Sequence, residues 1–289
     1  MQAYDLHVHG PGSIDSRDEF IQTLEQAGLY GAAIFSLRAE GMDRGTPYEK
    51  RVSGVLEYCE GYDGRFFPVL WIHPFESNAS AKARDAVNRG IKGFKIICNT
   101  YCVSDRLSME LMHTIAELDK PICFHSGILW DTRASGHFNR PINWECLIEV
   151  PRLRFSMGHC GWPWYDECIA LFGKLQIAAA ERSDVCEMFF DLTPTAPIAT
   201  RCELLTKLFT SGYDVKHNIL FGTDSGVNNY NAVFSKKWQD TDNAIYKELG
   251  LGSDVRKLIY QDNFLRFFYG GRKKVKVEWH TDPVRTVLE

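Results

Sequence analysis

The sequence predicts an α/β protein, a closed (β/α)8 TIM barrel, and three observations point there. Short apolar runs bounded by glycine, proline or charge alternate with helical segments along nearly the whole chain. The 289 residues suit one such barrel, which typically needs about 250. After the first strand stands His9-Gly10-Pro11-Gly12, with no nucleotide fingerprint to favour an open doubly wound sheet. The expected organisation is one domain over 1–289, with the barrel at about 4–268 and a C-terminal tail at 270–289.

The first strand is Tyr4-Asp5-Leu6-His7-Val8-His9-Gly10, and its two histidines, at i and i+2, share a face. Ser16-x-x-Glu19 reads as a capping box before a helix with Phe20, Leu24 and Ala27 on one side, closed by Gly28. Residues 31–37 form a buried strand. Thr46-Pro47-Tyr48-Glu49 reads as a second capping box, opening a helix with Val52, Val55, Leu56 and Cys59. Strand three spans 66–72, and an alanine-rich helix follows near 79–89. Strand four spans 92–98, before a helix carrying Leu107, Leu111, Ile115 and Leu118 at helical spacing. Strand five is 121–126, followed by a long loop and a short helix near 142–149. Strand six is 153–158, with a helix from about Trp164. Strand seven is 187–192, with a helix near 199–210. Strand eight is 218–223, before helices near 236–249 and 254–268.

Composition excludes several classes. A hydrophobic content of 45% suits a large core, and a net charge of −4 gives no reason to expect nucleic acid or an anionic membrane as partner. No run approaches the roughly 18 apolar residues of a membrane span. Only Met1, Gln2 and Ala3 precede the first strand, so no signal peptide is expected. The nine cysteines are scattered, show no Cys-x-x-Cys and sit partly in apolar runs. They read as reduced thiols of a cytoplasmic protein, with neither a disulfide nor a cysteine metal site expected.

Barrel enzymes build their sites at the C-terminal ends of the strands. Read in order, those ends carry His7 and His9, then Arg38, then His73. Lys95 lies within strand four, and Asn99 at its end. His125 ends strand five, His159 strand six and Asp224 strand eight. Five of the nine histidines and one acid therefore map to one face of one barrel, which points to a metal site.

That set (His-x-His, then His, His and Asp on strands five, six and eight) resembles the amidohydrolase superfamily. Gly90-Ile-Lys-Gly-Phe-Lys95, Gly158-His-Cys-Gly161, Gly222-Thr-Asp-Ser225 and Asp262-Asn-Phe-Leu-Arg-Phe-Phe268 narrow the likeness. Together they are similar to the amidohydrolase-related branch, which includes aminocarboxymuconate-semialdehyde decarboxylase and metal-dependent hydrolases and lactonases. The resemblance implies that His7, His9, His125 and Asp224 ligate one divalent metal, with His159 beside the reacting oxygen. Zinc suits such ligands best, with Mn2+, Fe2+ or Co2+ as alternatives. It also allows a second metal bridged by a carbamylated Lys95; one metal is preferred.

The implied reaction is hydrolysis of a small-molecule ester, lactone or amide by metal-activated water, with Asp224 as general base then acid and His159 assisting. The alternative is non-oxidative decarboxylation of a small unsaturated or aromatic acid. Arg38 would then clamp a substrate carboxylate, with Arg133 and Arg140 as weaker candidates. His73, Lys95, Asn99 and Trp162 complete the candidate substrate residues. A multi-metal phosphoesterase would need more acidic and histidine ligands along the middle strands, and Glu76 is the one candidate. A non-catalytic binding protein would show eroded ligands, whereas all five key positions are intact. The basic tail after Gly271 reads as a solvated arm, and a homodimer is expected.

Overall fold

A computed structural model describes residues 1–11, 16–40, 42, 44–194 and 196–271. The basic arm expected at 272–289 lies outside the described residues. The strands are β1 (Tyr4–His9), β2 (Gly31–Phe35), β3 (Phe66–Trp71), β4 (Gly93–Ile96), β5 (Ile122–Phe124), β6 (Arg154–Met157), β7 (Glu187–Asp191), β8 (Ile219–Leu220) and β9 (Ser225–Gly226). All paired neighbours are parallel, in the order β8-β7-β6-β5-β4-β3-β2-β1-β9. β8 and β9 together occupy the eighth strand position. The Leu6 amide donates to the Phe221 carbonyl at 2.9 Å, and β9 pairs with Val8 and His9, so the sheet closes on β1 as a TIM barrel.

The strands are nearly continuous apolar runs because both of their faces are buried. Between them run α1 (Arg17–Gln26), α2 (Tyr48–Cys59), α3 (Ala79–Arg89), α4 (Arg106–Glu117), α5 (Tyr165–Glu181) and α6 (Arg201–Thr210). α7 (Ala232–Glu248), α8 (Ser253–Lys257) and α9 (Asn263–Tyr269) follow the eighth position. The segment expected near 142–149 is a 3-10 helix, Pro141–Glu149. A π-turn, Leu258–Asp262, joins α8 to α9.

One core cluster lies between barrel and helices, and a second fills the barrel. The Asp262–Phe268 motif explains the second. Phe264 stacks on Tyr4 with ring centroids 4.5 Å apart, and it meets Phe67 edge-on at 5.0 Å. Phe267 and Phe268 join the same cluster, so α9 plugs the end of the barrel remote from the strand C-termini. Asn263 anchors that plug by donating to the carbonyls of Lys216 and Ile219.

Both expected capping boxes are replaced by tertiary contacts. Ser16 makes no capping bond to α1, and its hydroxyl donates to Asn228 at 3.4 Å. Pro47, not Thr46, occupies the N-cap of α2. Glu40 accepts the Tyr48 amide there, and Glu49 pairs with Arg89. The eighth strand is also shorter than expected. Asp224 adopts φ 60°, which breaks the ladder between β8 and β9.

Candidate metal centre

His7 and His9 leave β1 on the same face, as a two-residue spacing on a strand requires. His7 is buried, and its Nδ1 lies 2.9 Å from Oδ2 of the equally buried Asp191, at the end of β7. A carboxylate only accepts, so Nδ1 carries the ring proton and Nε2 keeps its lone pair. Oδ1 of Asp224 lies 3.4 Å from His7 Nε2 and 2.8 Å from His9 Nε2. The ligand-type atoms of His7, His9 and Asp224 all fall within 4.8 Å of one another. No other cluster of three such residues occurs among the described residues. Two imidazole nitrogens and a carboxylate oxygen, one imidazole with its tautomer set by a carboxyl, fit a divalent cation.

Close packing makes this arrangement possible. A Cβ added to Gly222 would meet Thr193 Oγ1 at 2.4 Å and His7 Cβ at 3.0 Å, so glycine alone fits there. Asp224 and His159 both hold a left-handed backbone at φ 60°, which costs about 1–3 kcal/mol each and is common at functional sites.

His125 follows β5, but the structure does not bring it into the triplet. Its Nε2 donates to the Ile128 carbonyl at 3.2 Å, and its ring sits edge-on to His159 at 4.8 Å. His159 follows β6 in the Gly158–Gly161 turn, and its Nδ1 donates to the Thr193 carbonyl at 3.1 Å. Lys95 points into the barrel, with Nζ 3.3 Å from His7 Nε2. Burial pushes Lys95 below the ordinary lysine range. Burial likewise holds His7, His125 and His159 low, and the Lys95 charge adds to this at His7. Burial works to raise Asp224, but His7, the His9 hydrogen bond and His159 outweigh it and hold the carboxyl low.

The remaining candidates form the surroundings. Arg38 is exposed, three residues beyond β2. His73 is buried beyond β3, accepting the Phe75 amide on Nδ1 at 3.2 Å. Asn99 is buried beyond β4. Trp162 stacks on the exposed Trp130 with centroids 5.9 Å apart. Its carbonyl accepts the Ile128 amide, which joins the loops after β5 and β6.

Sequence reasoning missed Asp191 and Thr193. The available signal was an acid ending the apolar run Phe189-Phe190-Asp191, on the one strand end assigned no role. The Thr193 amide donates to Asp191 Oδ1 at 2.9 Å, and its hydroxyl donates to the same atom. Arg201 and Asp242 form a second unforeseen feature, a buried pair behind this loop.

Solved structures share the fold. A structure described as a probable 2-pyrone-4,6-dicarboxylic acid hydrolase from Acinetobacter baumannii, with citric acid bound, matches at TM-score 0.62 and 12% identity. The match covers 93% of this chain and 100% of that one. Dihydroorotase from Campylobacter jejuni matches at TM-score 0.57 and 14% identity, covering 95% of this chain and 85% of that one. No curated protein matches the sequence. The family model described as amidohydrolase matches residues 5–269, from the first strand to the helix that plugs the barrel. With that span and the His-x-His strand inside it, the chain is an enzyme of the amidohydrolase family.

Proposed function

We propose that this enzyme is a metal-dependent hydrolase of a small-molecule ester, lactone or amide. The observation that carries the reading is the convergence of His7, His9 and Asp224 where strands one and eight meet. These residues would hold one divalent ion, zinc first and Mn2+, Fe2+ or Co2+ as alternatives, with His125 as a fourth ligand. Such an ion supplies Lewis acidity, which makes a nearby water more acidic and polarises a substrate oxygen.

The chain's own groups then do the proton work. Asp224, exposed at the mouth and held low by its histidines, accepts a proton from the attacking water and returns it to the leaving group. His159 has its Nδ1–H committed to Thr193, so Nε2 is the nitrogen left to face the reacting oxygen. Arg38 would hold a substrate carboxylate bidentately. His73, Asn99, Lys95 and Trp162 would complete the substrate surroundings. We take one metal rather than a pair bridged by Lys95. The nine scattered cysteines, with no Cys-x-x-Cys, suit a reducing compartment such as the cytoplasm.

Elemental analysis of the purified protein and turnover of an ester, lactone and amide panel in 18O-water test this reading. One metal per chain and 18O in the product carboxyl are expected, with both metal and turnover lost in His9→Ala. Carbon dioxide release without water incorporation would instead establish the decarboxylase alternative.

A further inference from the structure

The two segments that carry the candidate ligands meet where the backbone ladder of the barrel is interrupted. On one side of β1, the register against β2 shifts between Asp5 and Val8, so the ladder is irregular beside His7. On the other, the Leu6 amide bonds the Phe221 carbonyl and strand pairing resumes at Ser225, leaving Thr223 and Asp224 between the two bonded stretches. A backbone ladder is what normally holds neighbouring strands in register. Here it is interrupted beside His7 and across Thr223 and Asp224, next to two of the three candidate ligands.

One side chain spans that gap. Asp5 is fully buried, and four donors from three segments converge on it. Its Oδ1 accepts the His7 amide at 2.9 Å and the Thr223 amide at 3.0 Å. Its Oδ2 accepts the Thr223 hydroxyl at 2.7 Å and the Tyr230 hydroxyl at 2.8 Å. The amides it takes belong to a candidate ligand, His7, and to the residue preceding another, Asp224. Tyr230 adds a tie to the segment leading into α7.

We propose that Asp5 is a positioning residue, whose carboxyl bridges the break in the ladder between β1 and the eighth strand and thereby sets the spacing of His7 and His9 from Asp224. The inference rests on the metal reading above for its consequence, but its geometry concerns this chain alone. The role is one of shape. In Asp5→Asn, the amide oxygen can still accept both backbone amides, and the NH2 can donate to the two hydroxyls once they rotate. In Asp5→Ala, the His7 and Thr223 amides lose their acceptor.

The test combines metal-free crystal structures with affinity for Co2+ read from its visible absorption, using full-length protein whose folding is checked by circular dichroism. Asp5→Ala is expected to weaken Co2+ binding at least tenfold and to part His9 from Asp224 beyond hydrogen-bond distance. Asp5→Asn is expected to stay within threefold of the unaltered chain, with that contact kept. Thr223→Val, which removes one hydroxyl from the clamp, stands in if Asp5→Ala does not fold, with at least a threefold loss expected. The proposal is overturned if the clamp-breaking variant (Asp5→Ala, or Thr223→Val in its place) keeps the His9–Asp224 contact and binds Co2+ more tightly than its stated threshold. It is equally overturned if Asp5→Asn loses as much as Asp5→Ala. If the unaltered chain takes up no Co2+, it is the metal reading that fails, and the His9–Asp224 separation in the crystals alone decides for or against the clamp.

Discussion

The Nδ1 of His7 and the Oδ2 of Asp191 stand 2.9 Å apart, and neither side chain reaches solvent. This contact joins strand one to strand seven and commits the ring proton of His7 to the side away from Asp224. Hydrogen-bonded carboxyls behind metal-binding histidines fix the ring and its tautomer, and losing one typically costs 10–100-fold in metal affinity or activity. Asp191→Asn should therefore weaken metal binding about tenfold or more while the barrel stays folded. Equilibrium dialysis against a zinc buffer, followed by elemental analysis, measures the loss. Full retention of metal would remove Asp191 from the site.

Gly222 gives a second prediction. An added methyl would press on Thr193 Oγ1 and His7 Cβ, both held by Asp191 and its neighbours. Overpacking of this kind costs about 1–3 kcal/mol. Gly222→Ala should lower the urea midpoint correspondingly and also weaken metal binding, because the strain falls on His7. A loss of stability with unchanged metal affinity would show that the strain relaxes elsewhere.

Behind the β7 loop, Arg201 donates to both carboxyl oxygens of Asp242, at 2.6 and 2.8 Å, and to the Leu192 carbonyl at 2.6 Å. Both side chains are buried, so removing one partner strands a charge. Asp242→Ala should destabilise the protein by about 3–5 kcal/mol. Replacing both residues, as Arg201→Met with Asp242→Leu, should cost much less, since no charge is then left unpaired. Urea unfolding of the three variants distinguishes these outcomes.

The cysteines give a prediction with a defined pH sign. The thiolate is the reactive form, so alkylation speeds up as pH rises towards a thiol's pKa. Burial pushes Cys123 up to about 12, whereas Cys202 lies exposed on α6. Iodoacetamide at pH 8 should therefore modify the exposed Cys202 and leave Cys123 intact, and any residual reaction at Cys123 should rise with pH. Peptide mass spectrometry of the native protein reads both sites. Alkylation of Cys123 at a comparable rate would indicate that the barrel interior opens.

Much of the site was legible because strand geometry is local. A two-residue spacing on β1 places His7 and His9 together wherever the strand goes. The rule that barrel sites lie at strand C-termini brought Asp224 and His159 to the same mouth. Asp191 escaped that reading because an acid after two phenylalanines looks like an ordinary strand end until its partner, 184 residues away, is known. The resemblance groups His125 with the ligands, and in this structure its ring donates to the Ile128 carbonyl.

By itself, then, the sequence determined the alternation of strands and helices, the closed barrel, and which strand ends carry imidazoles and carboxyls. Hydrophobic periodicity and strand alternation act over a few residues, so they can be read without the fold. Only the tertiary structure decided which nitrogen of His7 is free, that Asp5 bridges the seam, and that the capping serine and glutamate turn to other partners. Those outcomes depend on hydrogen-bond geometry between residues far apart in the chain, where a rotation of one ring or an ångström of separation decides whether a contact exists.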